Sequence, residues 1–309
     1  MLRFVLKRIV ATLMALFVIV SITFTIMHTI PGGPFDSEKK VNQVIMDNLN
    51  EKFHLNDPLT KQFADYWGNL LHGDFGPSFR YESQTVNDII KQGFPVSATL
   101  GAIAVITALA LGLLLGIIAA LKQSRWQDYT AMIFATIGIS VPSFVMAPLL
   151  MYFLGVKFKI LPVAMWGSWK QIIMPAFALS LLPMATIARF TRASMIDVLN
   201  QDYIKTAKSK GLNQRVIVYR HAMRNALMPV VTYLGPMIAG VFTGSFVVEQ
   251  IFAIPGLGKW FVMSITNRDY TVILGVTIFY SLFLLIMNLI VDILYAVIDP
   301  RIKLASGGE

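Results

Sequence analysis

The feature that most constrains this chain is a set of six long apolar segments separated by polar stretches. A helix needs about 20 apolar residues to cross a bilayer core of roughly 30 Å, and each segment reaches or approaches that length. Only 14% of the 309 residues are charged, well below the usual fraction in soluble domains. We therefore predict an all-α integral membrane protein. The six predicted transmembrane helices are approximately Ile9–Ile30, Ser97–Leu121, Tyr129–Leu154, Gln171–Ala188, Ala226–Phe252 and Thr271–Ile298.

The fourth segment gives the weakest signal of the six. It is short, and it contains both Pro175 and Pro183. Proline removes a backbone donor and kinks a helix. The sequence therefore predicts that this span is short or tilted.

Positive charge predicts which ends of the spans face the cytoplasm, because Lys and Arg accumulate in cytoplasmic loops. Of the 26 basic residues, 15 lie before the first span or after the second, fourth and sixth spans. The remaining 11 basic residues, on the opposite side, are matched by 11 acidic ones. Both termini are therefore predicted to be cytoplasmic. The net charge of +9 follows this distribution, so no nucleic-acid partner is expected.

The stretch after the first span, Pro31–Pro95, is predicted to be an external helical segment. Its three predicted helices are one over residues 41–53, one that begins at Asp57-Pro58 and ends near Gly73, and one over Thr85–Gln92 that Gly93 stops. Turn residues separate the second helix from the third. Two roles remain open from the sequence: a cap packed on the transmembrane helices, or a docking surface for an external partner.

The longest predicted cytoplasmic loop carries the most informative pattern. A short helix with a small residue, Ala207, is predicted to break at Gly211, and a second helix then leads through Asn225 and Pro229 into the fifth span. A basic loop that only satisfies the charge rule is one interpretation. The other is a helix that inserts into a groove on another protein.

The same loop resembles the cytoplasmic "EAA" loop of permease subunits in binding-protein-dependent ABC importers, in particular the oligopeptide and dipeptide branch. Lys205 and Thr206 replace the Glu-Ala of the general consensus, as is typical of that branch. The residues that carry the match are Asp202, Tyr203, Thr206, Ala207, Lys210, Gly211, Leu212, Arg220, His221, Ala222, Asn225, Ala226 and Pro229. The resemblance implies that Asp202, Tyr203, Lys205, Thr206, Ala207, Lys210, Gly211 and Leu212 form the loop that couples to an ATPase.

Further motifs extend the resemblance to the oligopeptide permease B-type subunit over nearly the whole chain. They are Pro31–Phe35, Leu55–Pro58, Gly73–Ser78, Ile254–Gly258, Asn267–Tyr270 and Val291–Pro300. The resemblance implies a type I ABC importer permease fold with an external helical insertion. It also implies a division into residues 1–95 (first span and external segment), 96–299 (permease domain) and 300–309 (cytoplasmic tail).

The partners implied by the resemblance are a second, paralogous permease subunit, one or two cytoplasmic ATPases and an extracellular or periplasmic peptide-binding protein. The implied location is the bacterial inner membrane, in contact with lipid. We expect no cofactor, metal site or catalytic residue in this chain, since ATP and Mg²⁺ would be used by the ATPase subunits. Within the same family, import of dipeptides, nickel or another small solute remains an alternative to oligopeptide import.

The sequence lacks the glycine-rich phosphate loop that ATP hydrolysis requires. Gly258-Lys259 is followed by Trp260 and has no glycine at the needed upstream position. An ATPase would therefore be a separate chain. The motif His-Glu-x-x-His of zinc proteases is also absent, and we do not expect an enzyme.

An ion-coupled secondary transporter is the alternative class, since such proteins place ionisable groups within their spans. Asp292 lies well inside the sixth span, and Glu249 lies near the outer end of the fifth. Two carboxylates give little support for an ion pathway, and a packing role for Asp292 is preferred.

Small residues in the fifth span indicate either close helix packing or a lining for the substrate pathway. These residues are Gly235, Gly240, Gly244 and Ser245. Small side chains let helix backbones approach closely in a membrane. Both interpretations are compatible with a pore formed between two subunits.

Overall fold

The computed structural model of the protein describes residues 2–29, 43–81 and 83–298. In this part of the chain the regular structure is helical, apart from one isolated bridge between Pro77 and Thr85, so the all-α prediction is confirmed. The α-helices are α1 Leu2–Thr29, α2 Gln43–Lys52, α3 Leu59–Leu71, α4 Val86–Leu121, α5 Trp126–Ser140, α6 Ser143–Leu150, α7 Trp169–Leu199, α8 Asp202–Ser209, α9 Gln214–Val216, α10 Met223–Ala226, α11 Met228–Ile251, α12 Leu257–Asn267 and α13 Tyr270–Ile298. Two π-helical segments, Met151–Lys157 and Ile217–Ala222, continue α6 and α9.

The helices fall into two compact units. One unit comprises the described residues of Met1–Val96 and Gly256–Ile286, and the other those of Ser97–Pro255 and Met287–Glu309. The first unit therefore contains α1 to α3, the first turns of α4, α12 and most of α13. The second contains the rest of α4 and the helices from α5 to α11.

Five helical stretches in the described part of the chain are long and apolar enough to cross a membrane. They are Arg8–Thr29, Val86–Leu121, Trp169–Leu199, Met228–Ile251 and Tyr270–Val291. A sixth crossing exists if Trp126–Ser140 and Ser143–Lys157 are one broken span, since the chain bends by 108° between them. The prediction of six transmembrane helices holds with that pair as one crossing.

The third predicted span, Tyr129–Leu154, is thus wrong as a single helix. Val141 has extended backbone angles, with φ −100° and ψ 111°, where α5 ends. Pro142 follows it, and a residue before proline is disfavoured in the α conformation. Proline also has no N–H to continue the helix.

The fourth predicted span is longer than expected, because α7 continues for 31 residues through both Pro175 and Pro183. Of the most apolar 18-residue stretch of α7, 67% is buried inside the protein. Neighbouring helices can compensate the backbone groups that a proline frees in a buried helix. The helix also extends 11 residues beyond the predicted end at Ala188.

Gly93 does not stop a helix, contrary to the sequence prediction. The third external helix and the second span are one helix, α4, whose 36 residues run through Gly93 and Pro95. A Cβ atom at Gly93 would lie 2.9 Å from the Cα atom of Leu257. The glycine therefore permits a close backbone approach to the start of α12.

The other two external helices, α2 and α3, lie where they are predicted. Asp57 does not cap α3 through a side-chain hydrogen bond, because the residue before the helix is Pro58. The Asp57 carboxylate instead lies 3.0 Å from the Lys61 ammonium group. The Pro31–Phe35 motif, Asp299-Pro300 and the predicted tail 300–309 lie outside the described residues.

Two of the sequence motifs meet in the first unit at a buried carboxylate. Asp269 is only 1% exposed and accepts a hydrogen bond from the Ser78 hydroxyl at 2.5 Å. Its other oxygen accepts from the backbone N–H groups of Phe79 and Val272, each at 3.3 Å. The Thr271 hydroxyl donates to the Pro77 carbonyl at 2.6 Å. Asp269 therefore caps the start of α13 and fixes the external loop to it.

Candidate functional site

Helix α8 carries most of the predicted coupling residues, and it has one buried face and one exposed face. Ile204 and Ala207 are 0% and 6% exposed. They join a cluster with Met195 at the end of α7, Ala120 at the end of α4, and the helical turns that follow α8. A displacement of α8 would therefore be transmitted directly to α4 and α7, since packed apolar contacts resist deformation.

The exposed face presents most of the candidate residues to solvent. Ala207 is the exception: its small side chain lies against the chain's own helices. The sequence interpretation placed that alanine against a partner protein. The candidates on the exposed surface are Asp202, Tyr203, Lys205, Thr206, Lys210, Gly211 and Leu212.

The end of α8 requires a glycine. Gly211 has φ +76°, in the left-handed region that other residues enter at an energetic cost. Its N–H donates to the Lys208 carbonyl at 2.9 Å, and the Leu212 N–H donates to the Ala207 carbonyl at 3.4 Å. These two bonds form a Schellman C-cap. Nothing lies within 4 Å of the position that a Cβ atom would occupy at Gly211, so the surface there is open.

Side-chain contacts hold α8 in place beside the helix that follows. The Asn225 side-chain amide donates to the Tyr203 hydroxyl at 2.9 Å, which links α8 to α10. The Asn213 side chain accepts from the Arg215 N–H at 3.0 Å and caps α9. The break at Gly211 and the second helix through Asn225 are both found as the sequence predicts. The structure therefore brings the coupling candidates together in one segment, with all except Ala207 on its exposed surface.

The small residues of the fifth predicted span divide between packing positions and a cavity. A Cβ atom at Gly235 would lie 2.9 Å from the side-chain oxygen of Asn288, so this glycine permits close packing of α11 on α13. Ser245 is fully buried and donates its hydroxyl to the Phe242 carbonyl at 2.7 Å. Gly244 lies between them in sequence on α11.

Gly240 lines a cavity of about 200 Å³ in the second unit. The cavity lies between the bend at Pro142, the middle of α7 and α11. Its lining is apolar except for the side chains of Ser143 and Tyr233, and Pro236 of α11 contributes to it. Nothing lies within 4 Å of the position for a Cβ atom at Gly240. No charged side chain lines the cavity, which lies at the bend between α5 and α6. A cavity of this kind does not select a solute by its charge.

Sequence reasoning missed an ion pair between a buried carboxylate and a half-buried arginine. Arg192 of α7 donates from Nε and Nη2 to the two carboxylate oxygens of Asp128 on α5, at 2.5 and 2.7 Å. The Ser124 N–H also donates to Asp128 at 2.9 Å. The two charged residues are 64 positions apart, so no local pattern signals the pair.

The described residues offer little for an ion pathway or a metal site. No group of three or more His, Asp or Glu side chains in this part of the chain could hold a metal ion. Glu249 is buried in α11, and the side chain of Asp292 lies outside the described residues. The described residues therefore give no further support to an ion-coupled secondary transporter.

Comparison with known families gives two matches that together account for almost the entire chain. The family described as "Binding-protein-dependent transport system inner membrane component" matches residues 112–304. The N-terminal family of the same transport-system membrane components matches residues 1–101. The loop and the cavity described above both lie within the first match.

Curated relatives are similar over their full length. The chain is 49% identical over 308 residues to the dipeptide transport system permease protein DppB of Bacillus subtilis, which covers 100% of both chains. It is 47% identical over 305 residues to the oligopeptide transport system permease protein OppB of Salmonella typhimurium, covering 98% of this chain and 100% of the relative. The resemblance found from the sequence motifs is confirmed.

Solved structures of ABC transporters share the fold. An inward-facing structure of the MetNI methionine ABC transporter matches with a TM-score of 0.59 and 14% identity, over 68% of this chain and 96% of that chain. An amino acid ABC transporter with histidines matches with a TM-score of 0.51 and 17% identity, over 70% and 94% of the two chains. The prediction of an ABC importer permease fold is therefore confirmed.

Proposed function

Because the chain belongs to the family of binding-protein-dependent transport system inner membrane components, we propose that it is the permease subunit of an ATP-driven importer of oligopeptides. The observation that carries this proposal is its 46–49% identity, over essentially the whole chain, to permeases named for dipeptide or oligopeptide transport. The uncharged cavity beside Gly240 supports it, because a peptide importer must accept varied side chains.

The exposed face of α8 is the contact for the ATPase subunit. Tyr203, Thr206 and Lys210 project from the same segment whose buried face, at Ile204 and Ala207, packs on the ends of α4 and α7. Closure of the ATPase against this face would move α8 and, with it, the helices that flank the cavity. ATP and Mg²⁺ are used by that partner and not by this chain.

The complete importer contains further proteins. A second, paralogous permease subunit forms the membrane pathway together with this chain, and an external binding protein delivers the peptide. Gly240 contributes to the pathway through its cavity, and Gly235, Gly244 and Ser245 of the same helix remain candidates for its lining at the contact with the second permease subunit. Residues 1–95 form the first span with the external segment, 96–299 the permease domain and 300–309 the tail.

The protein is a multi-pass component of the bacterial inner membrane with both termini in the cytoplasm. The surplus of Lys and Arg around α8 and α9 supports this orientation. It places α8 on the cytoplasmic side, where an ATPase is available.

Site-directed cross-linking tests the ATPase contact. The chain contains no cysteine, so single cysteines can be introduced without removing any. Thr206→Cys and Lys208→Cys, both exposed on α8, should form cross-links to the ATPase in membranes. Lys170→Cys, which is equally exposed at the start of α7, is the matched control and should form none. Cross-linking at Lys170 but not on α8 would contradict the orientation and the coupling role together.

Substitution of Gly211 separates backbone geometry from contact with a partner. Gly211→Asn keeps a residue that tolerates left-handed angles, whereas Gly211→Val does not. If the glycine is required only by its φ of +76°, the Asn variant should import a radiolabelled tripeptide of alanine normally and the Val variant should not. If the ATPase packs on this open surface, both variants should lose import about tenfold while membrane insertion is retained.

Dipeptide import is the second candidate, favoured by the 49% identity to a dipeptide permease. A competition experiment with unlabelled peptides distinguishes oligopeptide import from dipeptide import. Uptake of the labelled tripeptide by the reconstituted importer should be inhibited by unlabelled peptides of three to five residues. Selective inhibition by dipeptides alone would assign the importer to dipeptides. Uptake that survives ATP depletion but stops when the ion gradient collapses would overturn the ATP-driven function.

A further inference from the structure

The ion pair between Asp128 and Arg192 lies outside both the exposed face of α8 and the apolar cluster beneath it. Asp128 is 2% exposed and Arg192 is 30% exposed, with both guanidinium–carboxylate bonds formed. A buried ion pair is weak support for stability, since desolvation offsets much of the attraction. A bidentate Arg–carboxylate contact does, however, fix both the distance and the orientation of the helices that carry it.

The position of the pair along α7 connects it to the coupling helix. Arg192 lies three residues before Met195, which is fully buried in the cluster that holds Ile204 and Ala207 of α8. At 1.5 Å per residue, Arg192 and Met195 are about 4.5 Å apart along the helix axis. A movement of α8 therefore reaches Arg192 through less than one turn of α7.

On the other side of the pair, α5 leads to the cavity. Asp128 lies in the first turn of α5, and α5 ends at the bend whose Pro142 lines the cavity beside Gly240. Apart from the pair, α5 and α7 are held by small residues. Gly138, for example, would place a Cβ atom 3.0 Å from the Leu181 carbonyl oxygen. These close contacts hold α5 against α7, and the bidentate ion pair adds a directional link that fixes the two helices at one further position.

Helix α7 also packs closely on α4. Cβ atoms at Gly112 and Gly116 would lie 2.7 Å from the Met184 and Ala188 carbonyl oxygens of α7. Helices α4 and α7 also share the apolar cluster with α8. They therefore move with α8 through packing alone, while α5 contributes no residue to that cluster.

We propose that Asp128 and Arg192 are positioning residues that make α5, and the bend at Pro142, follow α7 when the ATPase moves α8. The proposal rests on the proposed function. It adds a directional link between the coupling helix and the peptide pathway to the packing contacts that α5 and α7 already share.

The experiment uses the complete importer in proteoliposomes, with the tripeptide of alanine as substrate, and measures peptide imported per ATP hydrolysed. The double variant Asp128→Asn/Arg192→Gln removes both charges and leaves no buried charge unpaired. Arg192→Lys keeps the charge but loses the two-pronged contact. Arg189→Gln is the matched control, because Arg189 lies one turn away on α7 with an exposed side chain.

The expected result is normal assembly of all three variants, with ATP hydrolysis retained. Peptide imported per ATP should fall about fivefold or more in the double variant and less in Arg192→Lys, while Arg189→Gln stays at the wild-type ratio. A purely structural pair would change the amount of assembled complex but not this ratio.

Three results would overturn the proposal. A wild-type ratio in both pair variants would show that α5 follows α7 without the ion pair. Failure of both pair variants to assemble would assign the pair to folding. Absence of peptide import by the wild-type importer would overturn the proposed function and the positioning role with it, which distinguishes that failure from the first two.

Discussion

Two buried carboxylates, Asp269 in the first unit and Asp128 in the second, are held in different ways. Asp269 is 1% exposed and accepts from the Ser78 hydroxyl and from backbone N–H groups of adjoining turns. Asp128 is 2% exposed and accepts from the long Arg192 side chain of another helix, with one backbone donor at Ser124. The first carboxylate closes a loop onto a helix start, and the second joins two helices.

Under the proposed positioning role, the difference separates a carboxylate that holds a loop in place from one that links two moving helices. Backbone donors cannot change their positions without unfolding the turns that contain them. The bidentate Asp128–Arg192 contact instead joins two separate helices in a fixed orientation, so a movement of one helix is carried to the other. We therefore expect substitutions at Asp269 to affect mainly stability, and substitutions at Asp128 to affect mainly coupling.

The largest effect on stability is expected for Asp269→Ala. The variant loses the cap of α13 and leaves the buried Ser78 hydroxyl without its acceptor, which should cost about 3 kcal/mol. Thermal unfolding of the detergent-solubilised importer measures the loss. Asp74→Asn, an exposed position in the same loop whose carboxylate accepts from the Gly76 N–H, is the control and should change little. Equal destabilisation by both variants would show that the Asp269 carboxylate stabilises the fold no more than an exposed loop carboxylate does.

A smaller loss, about 2 kcal/mol, is expected for Gly116→Ala from overpacking. The added Cβ atom would lie 2.6 Å from the Thr191 Cβ atom and 2.7 Å from the Ala188 carbonyl oxygen, which forces α4 and α7 apart. Gly240→Ala, at a helical glycine with open space, is the matched control. Unfolding midpoints that rank these two variants in the opposite order would show that α7 is not seated closely on α4.

Asp128→Asn should cost about 1 kcal/mol, less than the loss at Asp269, because Arg192 is 30% exposed and can turn its charge toward water. The same variant should import less peptide per ATP hydrolysed, although a stability loss of this size alone would leave that ratio unchanged. Comparing Asp128→Asn with Asp269→Asn in the same unfolding assay tests the contrast directly. If Asp128→Asn destabilises the importer as much as Asp269→Asn does, both carboxylates are static supports and the comparison fails.

The smallest effect has the opposite sign. Ser124 has φ +60°, a left-handed angle that costs a non-glycine residue roughly 1 kcal/mol. Ser124→Gly should therefore stabilise the turn before α5 by several tenths of a kcal/mol, after the entropy that glycine adds to the unfolded chain is subtracted. Ser140→Gly, at the last helical position of α5, should destabilise slightly. A lower unfolding midpoint for Ser124→Gly would contradict this.

Local signals predicted the elements that depend on neighbouring residues alone. The break of α8 at Gly211 follows from the need for a left-handed residue at a helix end. The apolar segments predicted both ends of the first, fifth and sixth spans to within a few residues, as for Thr271–Ile298 against α13. The prediction of a short fourth span, based on Pro175 and Pro183, was wrong, because α7 is buried against other helices and continues through both prolines.

The same residue type had opposite outcomes at other positions. Pro142 ends α5 and bends the chain by 108°, whereas Pro95 lies inside α4 without ending it. Gly93 and Gly211 differ in the same way: one permits a close backbone approach and the other provides a left-handed cap. The role of a proline or glycine depends on which residues pack beside it. A single sequence does not show which distant residues those are.

By itself, the sequence determined the membrane location, the helical class and the family, because apolar length, charge asymmetry and ordered motifs are properties of consecutive residues. Only the tertiary structure decided that Ala207 faces inward, that Gly240 lines a cavity and that Asp128 meets Arg192. Each of these depends on contacts between segments far apart in the chain. Such contacts are fixed by packing of whole helices, and no short stretch of residues specifies them.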